Sequence, residues 1–122
     1  MQKLRVYQYP HYSTCKKALK YLDAKKKKYE KVGIVEQPPT VSELKAMLGY
    51  LKASGKTFKN LFNTSGEQYR ALKIGDRIKA GMTEQEGIAL LSKNGKPIKR
   101  PFLLTAKGGA TGFQAETWDE LV

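Results

Sequence analysis

The sequence predicts an α/β fold: a mixed sheet of about four strands flanked by helices, with a helical insertion before the last β-hairpin. Three observations lead there. The chain opens on an alternating apolar run, changes to helical spacing at Ser13 and returns to alternation at Tyr29. Its middle carries two capping-box sequences, Thr40-Val41-Ser42-Glu43 and Thr83-Glu84-Gln85-Glu86, each followed by apolar residues at helical intervals. Its last part holds a short apolar strand, a glycine pair and a segment centred on Trp118.

Leu4 to Tyr9 places Leu4, Val6 and Gln8 on one face and Arg5, Tyr7 and Tyr9 on the other, which is a strand. Ala18, Leu19 and Leu22 recur at helical spacing, with Ser13 or Thr14 positioned to cap the first turn and a lysine run at the exit. Tyr29 to Val35 alternates again, with Tyr29, Val32 and Ile34 facing inward, until Gln37-Pro38-Pro39 stops regular structure. Leu44, Met47, Leu48 and Leu51 form the apolar stripe of the second helix. Gly55 breaks it, Phe58, Leu61 and Phe62 make one short helical face, and Asn63 to Gly66 reads as a turn. Glu67 to Leu72 is a further short helix. Ile88, Leu90 and Leu91 mark the next one, stopped by Asn94-Gly95. Pro97 to Pro101 is a loop bracketed by prolines, and Phe102 to Thr105 a strand. Lys107-Gly108-Gly109 turns into a last strand from Ala110 to Phe113, and Ala115 to Leu121 closes as a helix. The order β-α-β, helices, β-β-α is a thioredoxin-like (glutaredoxin-like) plan.

At 122 residues the chain fits a single domain, residues 1–122, with a core of its own. Apolar residues at 40% exclude a disordered chain, and no run approaches the roughly 20 apolar residues of a membrane span. Met1 to Tyr7 has no h-region or cleavage site, so a cytoplasmic protein is expected. One cysteine rules out an internal disulfide, and one histidine leaves no zinc-ligand cluster, so no metal is expected. The net charge of +12 is concentrated where Lys16, Lys17, Lys20 and Lys25 to Lys28 crowd the first helix and its exit. A solvated lysine face and a docking face for a polyanion or an acidic protein both fit that pattern. Aromatics do not interleave with the lysines and no nucleic-acid module is recognisable, so direct nucleic-acid binding and membrane binding are not expected. A monomer is.

The chemistry-bearing stretch is Tyr9-Pro10-His11-Tyr12-Ser13-Thr14-Cys15-Lys16-Lys17-Ala18, a strand end, a tight loop and a helix start. A thiol there sits near the positive end of a helix dipole, which favours thiolate. Together with Glu36-Gln37-Pro38-Pro39-Thr40, Leu61-Phe62-Asn63-Thr64-Ser65-Gly66 followed by Tyr69-Arg70, and Ile98-Lys99-Arg100-Pro101 with Gly112-Phe113 downstream, it resembles the ArsC/Spx family. These are the glutaredoxin-linked arsenate reductases and the thioredoxin-fold proteins related to them. The resemblance spans nearly the whole chain. It implies an active loop of the form Pro-x-Cys-x-x-Cys or Pro-x-Cys-x-x-Ser, in which Tyr12 occupies the position of the nucleophilic first cysteine and Cys15 that of the resolving one. A phenol with a pKa near 10 does not replace a thiolate. Of the arginines that hold the oxyanion in such reductases, one matches Arg100, while the other positions read Asn63 and roughly Phe113. Pro101 matches the cis-proline facing the active loop.

The resemblance implies an arsenate reductase-like thiol oxidoreductase with a degenerate site, using glutathione as co-substrate, with glutathione or glutaredoxin as partner and no bound cofactor. Cys15 and Arg100 are then catalytic, and Tyr12, Ser13, Thr14, Lys16 and Pro101 form the anion-binding loop. The alternative is a non-catalytic, Spx-like regulatory or binding protein that contacts a protein partner such as RNA polymerase, although the CxxC switch of such proteins needs a second cysteine and the segment matching their basic residues here reads Thr64 to Gln68. The residues themselves leave both sides open. Cys15 is a reactive monothiol or a small buried core residue. Tyr12 donates to an oxyanion or plugs the vacated pocket. Arg100 holds an anion or pairs with a carboxylate, and His11 is a surface loop residue.

Overall fold

The computed structural model describes residues 4–9, 12–64 and 66–122. The expectations placed on Pro10, His11 and Ser65 lie outside the described residues. Four strands, β1 (Leu4–Gln8), β2 (Tyr29–Gly33), β3 (Phe102–Thr105) and β4 (Gly108–Thr111), form one mixed sheet in the order β2-β1-β3-β4. β1 runs parallel to β2, through the crossover helix α1 (Ser13–Ala24), and antiparallel to β3. The remaining helices are α2 (Val41–Ala53), α3 (Glu67–Ala71), α4 (Ile74–Lys79), α5 (Glu84–Lys93) and α6 (Ala115–Leu121), with a 3-10 turn at Phe58–Leu61. Among the described residues no helix is long and apolar enough to cross a membrane.

The period of two along β1 splits the core in two, because successive side chains leave opposite faces of the sheet. Val6 and its partner Leu103 pack with Ala18, Leu22 and Trp118 under α1 and α6. Tyr7 and its partner Phe102 meet edge to face at 5.6 Å and join the larger core of α2 and α5, with Leu44, Met47, Leu91 and Ile98. Both faces are therefore covered, as the alternation on either side of β1 predicts. Trp118 is held in register by its indole N–H, which donates to the Gly112 carbonyl at 3.1 Å.

Both expected capping boxes form: Thr40 and Glu43 exchange bonds at the start of α2, and Thr83 and Glu86 at the start of α5. Glu43 does more than cap. It accepts from the Tyr7 hydroxyl at 2.6 Å and from Arg5 Nη1 at 2.8 Å, and Arg5 Nε reaches Glu30 at 2.6 Å. One carboxylate thus ties α2 to β1 and, through Arg5, to β2. Burial pushes this carboxyl up, but the Tyr7 hydroxyl, the Thr40 N–H and Arg5 outweigh burial and hold it below its ordinary value. On Tyr7 burial and Glu43 act together and push the phenol up to about 12.

The boundaries depart from expectation in four places. β1 stops at Gln8 and β2 at Gly33, so Tyr9, Ile34 and Val35 lie outside the ladder. Ser13 and Thr14 do not cap α1. Tyr12 is its N-cap and makes no side-chain cap, because Ser13 is already the first helical residue. The hairpin turn is Ala106-Lys107, and β4 covers Gly108 to Thr111 rather than Ala110 to Phe113. The glycine pair serves packing here: a Cβ on Gly109 would lie 2.8 Å from the Leu103 carbonyl oxygen and 3.0 Å from both Met47 Cε and Tyr50 Cδ2, so α2 can lie close against β4 only over glycine. Finally, α4 had no sequence signal. It is six residues long with only Ile74 buried, and Lys73 enters it in a left-handed conformation at φ 52°. Gly95, read as a helix stop, also permits a close approach, since a Cβ there would fall 1.8 Å from the Ile34 carbonyl oxygen.

Replacing Glu43 with alanine leaves the buried Tyr7 hydroxyl without its acceptor and is expected to cost about 1–3 kcal/mol in urea unfolding at pH 7. Because the folded carboxyl titrates below its unfolded value, its contribution is present above about pH 4.3 and is lost as pH falls through the depressed pKa. The Glu43→Gln protein should accordingly lose less stability between pH 6 and pH 3 than the parent; equal slopes would contradict the assignment.

Candidate functional site

The central strand pair places the site. Tyr7 opposite Phe102 means that the residues following β1 emerge beside those preceding β3. Tyr9 and Tyr12 therefore meet Arg100 and Pro101 at one end of the two central strands, and α1, which carries Cys15, starts there. The Arg100-Pro101 peptide bond is cis, and Pro101 is buried. The Tyr12 N–H donates to the Tyr9 carbonyl at 3.0 Å, and the Tyr12 carbonyl accepts from Lys16 N–H at 3.1 Å, so the loop closes directly onto the helix.

Cys15 is the third residue of α1 and is 1% exposed. Its sulfur accepts the Tyr9 N–H at 3.5 Å. Burial pushes the thiol up, against the Tyr9 N–H and the Arg100 charge, which both favour thiolate. The expected dominance of the helix terminus is not found: desolvation decides, because the side chain points into the core. Lys16, Lys17 and Ser13 are exposed on α1 and Thr14 is half-buried. Arg100 is the cation whose charge acts on the thiol.

The Arg100 guanidinium lies 5.0 Å from the centre of the Tyr9 ring and 5.3 Å from that of Tyr12. Contacts of this kind stabilise by about 0.5–2 kcal/mol. Nη1 donates to the Lys96 carbonyl at 2.7 Å and to the Ile98 carbonyl at 3.3 Å. Nε is buried and has no acceptor among the described residues. None of the ion pairs among the described residues involves Arg100. Of the two readings of this arginine, pairing with a carboxylate is thus absent there; backbone carbonyls and two aromatic rings hold it instead. Half-buried Tyr12 fills space against the guanidinium.

A cleft of about 320 Å³ opens beside Arg100, which lines it with Tyr9, Val35, Gly66, Glu67, Gln68 and Lys96. Tyr9 belongs to the loop before α1, and Gly66, Glu67 and Gln68 to the segment Thr64 to Gln68, but nothing in the sequence linked Val35 and Lys96 to Arg100, since they come from separate segments that no spacing joins. A wider groove of about 720 Å³ beside Met82 and Leu90 brings none of the expected residues together. Among the described residues no cluster of His, Cys, Asp and Glu has the make-up of a metal site. The lysines follow the solvated pattern for the most part: Lys20, Lys26, Lys27 and Lys28 are exposed, and Lys25 pairs with Asp119 of α6 at 2.8 Å.

Comparison with known proteins gives the same pattern over nearly the whole chain. The ArsC family profile matches residues 7–121. YusI of Bacillus subtilis is 38% identical over 117 residues, which are 96% of each chain. An ArsC family related protein of Bacteroides fragilis superposes with a TM-score of 0.86 at 42% identity, over 98% of this chain and 99% of that one. A possible arsenate reductase of Streptococcus mutans UA159 superposes with a TM-score of 0.82 at 34% identity, over the same shares.

Because the positive charge of Arg100 partly offsets burial at the sulfur, Arg100→Met should move the midpoint of Cys15 alkylation by iodoacetamide to higher pH and slow the reaction at pH 8. An unchanged pH profile in a folded variant would break the link between the two residues.

Proposed function

The chain belongs to the ArsC family, and from that premise we propose that it is an arsenate reductase-like thiol oxidoreductase, linked to glutathione and working with one thiol and one arginine. The observation that carries this reading is that Cys15 and Arg100 meet the same segment: the Cys15 sulfur accepts the Tyr9 N–H at 3.5 Å, and Arg100, at the cis bond to Pro101, lies against the Tyr9 and Tyr12 rings. With Tyr12 in the place of the first cysteine, a relay between two thiols is closed to this chain. A single thiol supports one cycle. The Cys15 thiolate attacks the glutathione sulfur of a mixed disulfide, that S–S bond breaks, and the substrate leaves as its thiolate and takes a proton. A glutathione thiolate then attacks the sulfur of the Cys15-bound glutathione, releasing oxidised glutathione and restoring Cys15. Each turn consumes one glutathione thiol, and the net change is exchange: mixed disulfide plus glutathione gives the free substrate thiol plus oxidised glutathione. The buried sulfur reacts from locally opened molecules, so turnover is limited by that minor population and by the raised thiol pKa.

The same burial favours a second reading, a catalytically silent Spx-like protein that contacts a partner such as RNA polymerase. One experiment divides the two. Native protein is incubated with oxidised glutathione between pH 7 and 9 and examined by intact mass. The enzyme reading expects one glutathione adduct on Cys15, formed about tenfold faster per pH unit below the thiol pKa. A native protein that stays unmodified for hours while its urea-unfolded form reacts would overturn it in favour of the binding reading.

A further inference from the structure

We propose that the cleft at the opposite end of the sheet from Arg100, lined by Lys27, Lys28 and Lys107, docks an acidic segment of a protein partner, with an apolar side chain seated in the cleft and carboxylates on the lysines. The proposal is independent of the thiol chemistry. The strand register builds the cleft. Leu4 pairs with Tyr29 and Arg5 with Leu104, so the residues just before β2 and just after β3 emerge together beside the start of β1. Lys27 and Lys28 come from the exit of α1, Lys107 from the hairpin turn, and the end of α6 adds Leu121. Both lysine-bearing turns are fixed by their backbones: the Lys27 N–H donates to the Leu22 carbonyl at 3.1 Å, and the Lys107 N–H to Thr105 Oγ1 at 3.0 Å.

Charge and lining select the occupant. The three lysines are exposed, none forms an ion pair among the described residues, and no acidic side chain lines the cleft. Four other clefts of the surface each set a carboxylate beside their cations: Glu86, Glu84, Glu67 and Asp76. Complementation of the α1 dipole accounts for cations at the helix exit, but not for Lys107, which the hairpin brings to them. Like charges gathered without a counter-charge favour an anionic partner. Leu4, Ala106 and Leu121 give the cleft an apolar surface, and its volume of about 290 Å³ has room for an apolar side chain. A nucleic acid or other polyanion would leave that surface unused, and no aromatic ring lines the cleft for a base to stack on. An acidic peptide uses both features.

The test is an NMR titration of the isotope-labelled full chain at low salt with the blocked peptide Glu-Glu-Leu-Glu-Glu, and separately with a heparin fragment of equal charge. Amide shifts caused by the peptide should cluster at Lys27, Lys28, Lys107 and Leu121 and leave Arg100 unmoved. Lys27→Glu, Lys28→Glu and Lys107→Glu combined should weaken binding at least tenfold. Lys20→Glu, Lys56→Glu and Lys79→Glu combined, an equal change of net charge on other exposed surface, should leave it within about threefold. Serine in place of the leucine of the peptide should weaken it about fivefold. The shift map and the serine peptide use the native chain, so they decide the matter even where a charge-reversed protein unfolds. No binding, shifts centred elsewhere, equal losses in the two reversed proteins, or a serine peptide that binds as well would overturn the proposal. A heparin fragment that binds the cleft more tightly than the peptide would overturn it in favour of a polyanion site.

Discussion

The antiparallel pairing of β1 with β3, with Tyr7 opposite Phe102, is the constraint from which the rest of this molecule follows. It is the join between the parallel β-α-β half and the terminal hairpin, so it brings together segments more than ninety residues apart in sequence. On one face the pair builds the larger core. At its end it sets the loop after β1 against the Arg100-Pro101 step, and the site exists only because of that coincidence. Glu43 reinforces the arrangement from the α2 side by bonding both Tyr7 and Arg5 of the same strand. Such a half-buried carboxylate is tolerable because three donors satisfy it.

Within the site, desolvation and local charge act on Cys15 in opposite senses. The helix start, the Tyr9 N–H and Arg100 all favour thiolate, but a side chain with almost no exposed surface loses more by leaving water than these groups return. The Tyr12 ring at the helix entrance packs on the Arg100 guanidinium and helps to hold it. The result is an arginine held by two carbonyls and two rings, beside a shielded sulfur.

Much of the fold was legible because long elements carry their period in the side chains. β1, α1, α2 and α5 have clear alternation or helical spacing, and the two capping boxes mark the starts of α2 and α5 to the residue. Legibility failed where tertiary packing, not local propensity, chose the conformation. Gly108 and Gly109 carry a turn signal, yet Met47 and Tyr50 need their missing side chains inside a strand. α4 is too short to show a period. In the site, Tyr12, Cys15, Arg100 and Pro101 stood out by residue type within recognisable segments. Lys96 and Val35 did not, because each joins the cleft from a different segment and only the folded chain brings them beside Arg100.

The proposed function supposes that Tyr12, the N-cap of α1, occupies the first position of a two-thiol scaffold, one helical turn before Cys15. Tyr12→Cys tests it directly. After mild oxidation of the folded variant, thiol titration and intact mass should report loss of both free thiols within one monomer, as expected of two cysteines spaced this way at a helix start. A folded variant that keeps two titratable thiols, or that links only between molecules, would contradict the account.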